Sequence, residues 1–506
     1  MNRFRLSGIS LALPAALMAS TAMADVTPAE VWADWQQYMQ TMGYQIDATE
    51  TTSGDTLTVS DITMSMQIPD QPGNFSISMG SMTFTQNGAS VDVGMPETMP
   101  MTMTMMIEPG APEATIDLTL TQIGHSMNVS GSPEEMVSSY NAANLSLALD
   151  KIEMEGETMG PDMIKAVVSI ANLTNTTRMT NGDMRDYQQS GTTGAMAYDV
   201  DVNNPEEQVK FKMIGGVESI TYEGSGLIPV AGVDMSDMNA MLKSGFAVAG
   251  TFIYTGGRTE LEGSDPVDGA FAAKTSTSGG NFGVEMNAET LAYTGAQNDL
   301  QMNVSVPDLP FPIDLGMATS GFNIAIPVAK SDTPEDFAFA ITLGDFVMSD
   351  MIWSLFDAGG QLPRDPATIE LDMTGEAKML VDIMDPAQTA TAPVPAELHG
   401  LNLSKLLVSA AGAKLEGSGD FTFDNTDMST FPGLPKPVGA IDVSLSGANG
   451  LMDKLVAMGL LPEEQAMGAR MMMGMFGVPG SEPDTLNSKV EFTGDGQVLA
   501  NGQRIR

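Results

Sequence analysis

Phe75-Ser76-Ile77-Ser78-Met79 alternates apolar and polar residues at every step. Successive side chains of an extended chain point to opposite faces, so Phe75, Ile77 and Met79 share one side and the serines the other. The same period-two pattern returns in Ile116-Asp117-Leu118-Thr119-Leu120, at Leu145, Leu147 and Leu149, and at Phe337, Phe339 and Ile341. One buried and one wet face per strand favours antiparallel sheet over parallel. Gly224-Ser225-Gly226, Gly417-Ser418-Gly419 ahead of Phe421 and Phe423, and Asp495-Gly496 after Val490 and Phe492 read as hairpin turns. The expected fold is mainly β with a helical minority, its antiparallel sheets either extended or arranged in tandem β modules.

The helical minority is marked by caps. Thr27-Pro28-Ala29-Glu30 is a capping box with proline at the first helical position, and Val31, Trp35, Tyr38 and Met42 then share a face that Gly43 ends. Ser132-Pro133-Glu134-Glu135 has the same form and predicts a second helix carrying Met136, Val137 and Tyr140. Further helices are expected from Asp234, from Ser349 (with Ile352, Trp353, Leu355 and Phe356), and as a pair over Leu451–Met458 and Pro462–Phe476 broken at Gly459. That makes about five short capped insertions. The openings near 132, 234, 349 and 450 are candidate module starts within the β-rich region 25–506, and length alone suggests about three domains.

Residues 1–24 read as a signal peptide: Arg3 and Arg5 precede an apolar stretch, and Ala22-Met23-Ala24 offers small residues at the positions read by a signal peptidase. Cleavage is expected between Ala24 and Asp25, which places the mature chain in the periplasm. No later stretch approaches the ~20 apolar residues that span a bilayer, so no transmembrane segment is expected after processing.

Composition narrows the chemistry. Without cysteine there is no disulfide, thiol nucleophile or Cys-type metal site, and two histidines cannot build a multi-histidine centre. A net charge of −42 argues against nucleic acid and anionic surfaces as partners. Gly124-His125-Ser126 starts like a nucleophile elbow but lacks the closing glycine, and the only other histidine is His399. Asp199-Val200-Asp201-Val202-Asn203 starts like a calcium loop but has Asn204 and Lys210 where glycine and a bidentate acid belong. No catalytic, cofactor or metal residue is therefore assigned, and the chain is not expected to be an enzyme.

Methionine is abundant, with 43 residues. Met99, Met101, Met103, Met105 and Met106 crowd one segment, and Met471, Met472, Met473 and Met475 another. Thioethers are soft ligands for Cu(I), but strand side chains two residues apart sit ~6.6 Å apart along the backbone. Met101, Met103 and Met105 read instead as a strand face, and the second group as adaptable core filling on a helix.

Val31-Trp32-Ala33-Asp34-Trp35 with Met42-Gly43-Tyr44, Leu460-Leu461-Pro462-Glu463-Glu464-Gln465-Ala466-Met467-Gly468-Ala469-Arg470 and Leu499-Ala500-Asn501-Gly502-Gln503-Arg504 resemble a secreted bacterial family known only as domain of unknown function twenty-one twenty-five. The resemblance extends over essentially the whole mature chain. It implies an envelope protein of Gram-negative type and brings no known activity, ligand or site residue. The expected function is an exported, non-catalytic envelope protein that binds a lipid or another apolar partner, such as an envelope protein, on a sheet face. The alternatives are a Met-rich Cu(I)-binding protein and a purely structural component. The oligomeric state is not set by the sequence.

Overall fold

The computed structural model describes residues 25–67, 73–106, 112–230 and 237–506. The expected signal segment with Ala22 and Ala24 lies outside them, and Asp25 opens the described chain in an exposed position.

The first part of the chain holds α1 (Pro28–Thr41), β1 (Gln45–Ser53), β2 (Thr56–Gln67), β3 (Asn74–Met79), β4 (Met82–Asn87), β5 (Ser90–Gly94), β6 (Thr98–Met106), β7 (Ala114–Ile123), β8 (Ser126–Ser132) and β9 (Glu135–Met154). It continues through β10 (Glu157–Met159), β11 (Ile164–Thr180), β12 (Met184–Thr193), β13 (Met196–Asn204), β14 (Val209–Pro229), α2 (Met238–Lys243), β15 (Ala247–Asp265), β16 (Gly269–Met286), β17 (Thr290–Ser305), β18 (Ile313–Pro327) and β19 (Glu335–Met348). The last part comprises α3 (Asp350–Phe356), β20 (Ala367–Met379), α4 (Pro386–Thr391), β21 (Ala396–Ala410), β22 (Ala413–Asp424), β23 (Lys436–Ser446), α5 (Ala448–Ala457), α6 (Glu463–Phe476), β24 (Val478–Pro479), β25 (Thr485–Phe492), β26 (Val498–Ala500) and β27 (Gln503–Arg504).

Strand makes up 63% of the chain and helix 12%, so the protein is mainly β. Among the described residues all the strands join one 27-stranded sheet whose pairings are antiparallel. At its N-terminal end the sheet splits: the start of β9 pairs with β8, its remainder with β7, and the ribbons β8–β5–β4 and β7–β6–β3 both rejoin at β2. Beyond β9 comes β11. Next to it, β12 and β13 lie end to end between β11 and β14, and β14 to β23 then follow as sequential neighbours to β25. The accessible surface is 28772 Å², against about 18,000 Å² for a compact monomer of this mass. The undescribed residues are too few to account for that excess. The molecule is an open sheet, and its main closed core lies under α1.

Several local expectations are met. Thr27 and Glu30 form the capping box of α1, and α5 and α6 are the expected pair. Asp495-Gly496 turns β25 into β26, with Gly496 at φ +82°. Others are corrected. Ser132-Pro133-Glu134-Glu135 is not a helix start but the tight turn between β8 and β9, where the buried Ser132 hydroxyl accepts from the Glu135 amide and Val137 pairs with Ser130. The capping signature supplies that hydrogen bond equally well in a turn, and the β-rich sequence after it decides the outcome. Gly224-Ser225-Gly226 lies inside β14 and Gly417-Ser418-Gly419 inside β22, because the strands on either side continue the ladder through them, with Gly226 and Gly419 close to carbonyls of the next strand. A Cβ at Gly419 would meet the Ala440 carbonyl at 2.7 Å. Asp234 lies outside the described residues; α2 follows it, capped by the Asp237 carboxylate on the Ala240 amide. A sixth helix, α4, opens on Asp385-Pro386 and was not anticipated.

Candidate functional site

Residues directly opposite one another in a ladder project to the same face. One transverse row can be followed from strand to strand in this way: Tyr222, Phe252, Phe282, Gly295, Phe322, Ile341, Leu371, Leu406, Gly417 and Val443, running from β14 to β23. A second row beyond the strand midpoints runs Ala166, Val200, Met213, Leu261, Ala273, Val304 and Ile313 from β11 to β18.

Both rows lie on the same face because the strands change phase between them. On β14, Met213, Gly215 and Val217 are two residues apart, yet the face continues at Ile220 and Tyr222. On β15, the ring of Tyr254 is 3.5 Å from where a Gly257 Cβ would stand, so these residues share a side despite their odd separation. At each such step one strand of the pair carries a residue in the left-handed region, Asn172 (φ +49°), Gly256 (+50°), Asp299 (+52°) or Asp345 (+55°), opposite an ordinary one such as Glu218 on β14, and Asp61 (+53°) stands likewise on β2. Asp, Asn and Gly enter that region most readily. The positions align across the sheet, since the ladders skip from Leu173 to Ala171, from Val217 to Ser219, from Leu300 to Asn298 and from Met317 to Thr319 at the same transverse level. Bulge-like residues of this kind re-aim the side chains that follow. Here they keep one face apolar along strands of up to 21 residues.

The two ends of this face differ in what covers it. Near its start α1 lies on it, and Val31 and Trp32 pack with Leu57, Val59, Phe84, Val91, Val129 and Met136, all 0–5% exposed. Trp32 and Trp35 sit against the Phe84 ring at 5.9 and 5.3 Å. Farther along, the same face carries Leu147, Val168, Phe252, Phe282, Phe322 and Ile369 at 39–46% exposure. At roughly 4.8 Å per strand the row from β14 to β23 is about 45 Å long.

The opposite face is polar. It holds the pairs Lys165–Asp199 at 2.5 Å, Lys274–Glu260 at 2.9 Å, Lys414–Glu416 at 2.7 Å and Lys405–Glu370. Its concavities, of about 660 and 960 Å³, are lined by residues of both signs, including Arg178, Glu223 and Glu285 in one and Lys165, Asp201, Lys212 and Glu262 in the other. The Asp199–Asn203 segment forms part of β13, with Asp199, Asp201 and Asn203 on this polar face rather than wrapped into a loop.

The sequence candidates do not converge. His125 sits between β7 and β8 with Nδ1 2.7 Å from the Gln122 carbonyl, and His399 lies on β21, many strands away. Among the described residues no group of three or more His, Asp or Glu side chains is placed to hold a metal ion. Met101 and Met103 stand on the apolar face opposite Met79 and Ile77. The second methionine group departs from expectation: Met471, Met472 and Met475 of α6 are 60–67% exposed, and Met473 is only partly buried. Only Ala466 of that helix is buried.

Sequence reading missed a polar cluster embedded in the apolar face. Gln189 Nε2 donates to Asn175 Oδ1 at 2.7 Å, Tyr222 Oη donates to the same oxygen at 2.9 Å, and Tyr187 Oη donates to Gln189 Oε1. Tyr140, opposite Asn175, donates to Gln122 Oε1 at 2.9 Å. Burial raises the pKa of all three phenols, which keeps them protonated, with Tyr38 and Tyr222 adding to the effect at Tyr187. These residues are far apart in sequence and meet only through strand pairing, so no spacing signals them. No protein-family model matches the chain, and no curated protein matches it. Among the described residues no helix is long and apolar enough to cross a membrane.

Proposed function

We propose that this is an exported, non-catalytic envelope protein that holds the hydrocarbon chains of lipids along the uncovered part of its apolar sheet face. The observation that carries this reading is the contrast within one face: side chains of the same types are sealed under α1 and left about two-fifths exposed beyond it. Monomers rarely expose apolar surface of this extent unless something binds there. Aromatic rings set opposite glycines and flexible methionines suit an irregular hydrocarbon ligand. The signal-like residues 1–24 and the terminal motifs shared with a secreted family support an envelope location. The acidity of the chain argues that contact with lipid is made through this face and not by attraction to an anionic surface.

Native mass spectrometry of the mature protein after gentle purification tests the reading. Co-purifying lipid supports it. A stoichiometric copper adduct favours the methionine-sulfur alternative, and a bound envelope protein makes the face a protein interface. A bare mass that persists after incubation with lipid vesicles leaves a structural component as the better account.

A further inference from the structure

The polar cluster interrupts the apolar face at one place, next to the end of α1. Tyr140 on β9, Asn175 on β11 and Tyr222 on β14 fall on one transverse row, with Gly191 of β12 between the last two. On the adjacent row Ser138, Thr177 and Gln189 occupy the apolar-face positions, followed by Gly224 and Gly250. Hydroxyls and amides thus replace hydrocarbon across four strands, and two paired glycines beside them leave the floor without side chains. A Cβ added at Gly224 would come no closer than 3.7 Å to any other atom, so the recess is open to a ligand group.

We propose that this recess seats the uncharged, hydroxyl-bearing polar group of an amphiphile whose hydrocarbon lies along the neighbouring apolar row. The inference rests on the lipid-holding reading and adds the class of headgroup. The hydrogen bonds define that class. Tyr187, Tyr222 and Tyr140 each spend their single proton inside the cluster, so their oxygens are left with accepting lone pairs. Gln189 has a second N–H, and Thr177 and Ser138 contribute rotatable hydroxyls. A group that both donates and accepts meets this surface; an alcohol does so and an ester does so only in part. No charged side chain belongs to the cluster: Arg178 and Glu223, its neighbours in the chain, stand on the polar face with Arg178 paired to Glu135, and Arg185 is 1% exposed and paired with Asp34. A phosphate would lose its hydration there without gaining a counter-ion. The free hydroxyl of a diacylglycerol and the sugar of a glycosyl diacylglycerol share the required chemistry.

The test is a competition among equimolar dioleoylglycerol, monogalactosyl dioleoylglycerol and dioleoylphosphatidylglycerol for the mature protein, read by native mass spectrometry. At least one neutral lipid is expected to exceed the phosphatidylglycerol about tenfold, the equivalent of one or two hydrogen bonds. A lead for the galactolipid assigns the recess to a sugar, and equal neutral signals assign it to a single hydroxyl that either lipid can present. Because overall acidity alone disfavours the anionic lipid, the decisive arm uses variants that leave the charge unchanged. Tyr222→Phe, Asn175→Leu and Gly224→Leu should each bring the ratio toward one while total lipid bound and the melting temperature stay near wild type. Tyr222→Phe removes only an oxygen, so it keeps the comparison valid should the other two fold poorly. A wild-type ratio near one, or a high ratio unchanged in the variants, overturns the headgroup assignment and leaves lipid holding intact. No binding of any of the three lipids overturns both.

Discussion

Arg185 on β12 and Asp34 on α1 meet in a 2.7 Å ion pair that joins positions far apart in sequence, and their side chains are 1% and 10% exposed. The contact fastens the helix under which the main core lies. Asn181 Nδ2 donates to the same carboxylate oxygen at 2.9 Å, and the Tyr38 ring lies 5.9 Å from the guanidinium carbon. Removing one partner of a buried pair strands the other charge. Asp34→Ala is therefore expected to cost about 3–5 kcal/mol in urea unfolding. Replacing both, as Asp34→Leu with Arg185→Met, should recover most of the loss. Trp32 and Trp35 report on α1 directly, and their emission should shift to the red in Asp34→Ala before the β-sheet circular dichroism signal is lost.

Asp382 is a second tether, placed after β20. Lys243 of α2 binds its carboxylate at 2.7 Å and the Lys330 amide binds it at 2.9 Å, and these contacts hold its pKa below the usual carboxylate value. A carboxylate whose pKa is lowered by folding stabilises the native state above its unfolded pKa of about 3.9, and that contribution is lost as pH falls through the lower, folded value. Wild type should be more stable than Asp382→Asn at pH 7, and the gap between the two should shrink as the pH is lowered beneath the ordinary carboxylate range. A constant gap over the whole range would mean that the carboxylate's charge is not what holds the contact.

The left-handed residues make a sharper claim about the sheet. Asn172 lies at φ +49° in the middle of β11, where a β-branched residue is strongly disfavoured. Asn172→Val should cost about 1–2 kcal/mol, and Asn172→Gly should be neutral or slightly stabilising. Thr176, four residues on and in regular strand geometry, should respond in the opposite sense, losing about 0.5–1 kcal/mol as glycine and little as valine. Equal responses at the two sites, measured by denaturant unfolding, would remove the strand-phase account.

The methionines of α6 provide a chemical test of exposure. Thioether oxidation follows access, so mild peroxide should convert Met471, Met472 and Met475 to sulfoxides well before Met99, which is 4% exposed on β6. Peptide mass mapping over a time course gives the order. Protection of the α6 group would place it against another surface in solution.

Strand content and the α1 cap were legible because both depend on neighbours in sequence: alternation at Phe75–Met79 or Phe337–Ile341, and the reciprocal hydrogen bonds of Thr27 and Glu30. The failures share one cause. Ser132-Pro133-Glu134-Glu135 and Gly224-Ser225-Gly226 carry local signatures whose meaning is set by the strands lying beside them. The change of phase at Val217-Glu218-Ser219-Ile220 is visible in the letters once sought, as a step of three between apolar residues. That such steps line up from strand to strand depends on register, which no single segment encodes. The Asn175–Gln189–Tyr222 cluster is farther still from local reading, since three separate strands contribute to it.

The lipid-holding reading makes its strongest prediction at Phe282. This side chain is 45% exposed near the middle of the uncovered face, between Phe252 on β15 and Gly295 on β17. Since it is only half buried, replacing it by aspartate sacrifices part of one aromatic burial, roughly 1 kcal/mol, and the sheet should still form. The carboxylate would nonetheless place a charge in the path of any hydrocarbon lying along the row, and its desolvation is far more costly than the lost contact. Phe282→Asp is expected to lower the lipid recovered with the purified protein several-fold while leaving the circular dichroism spectrum unchanged. Thr251→Asp provides the matched control. It adds the same charge on the neighbouring strand, but on the polar face, where Thr251 lies opposite Glu223 and Gly283. Lipid recovery should be unaffected by it. Equal loss in both variants would trace the effect to net charge, and equal retention would mean that the apolar face is not where lipid is held.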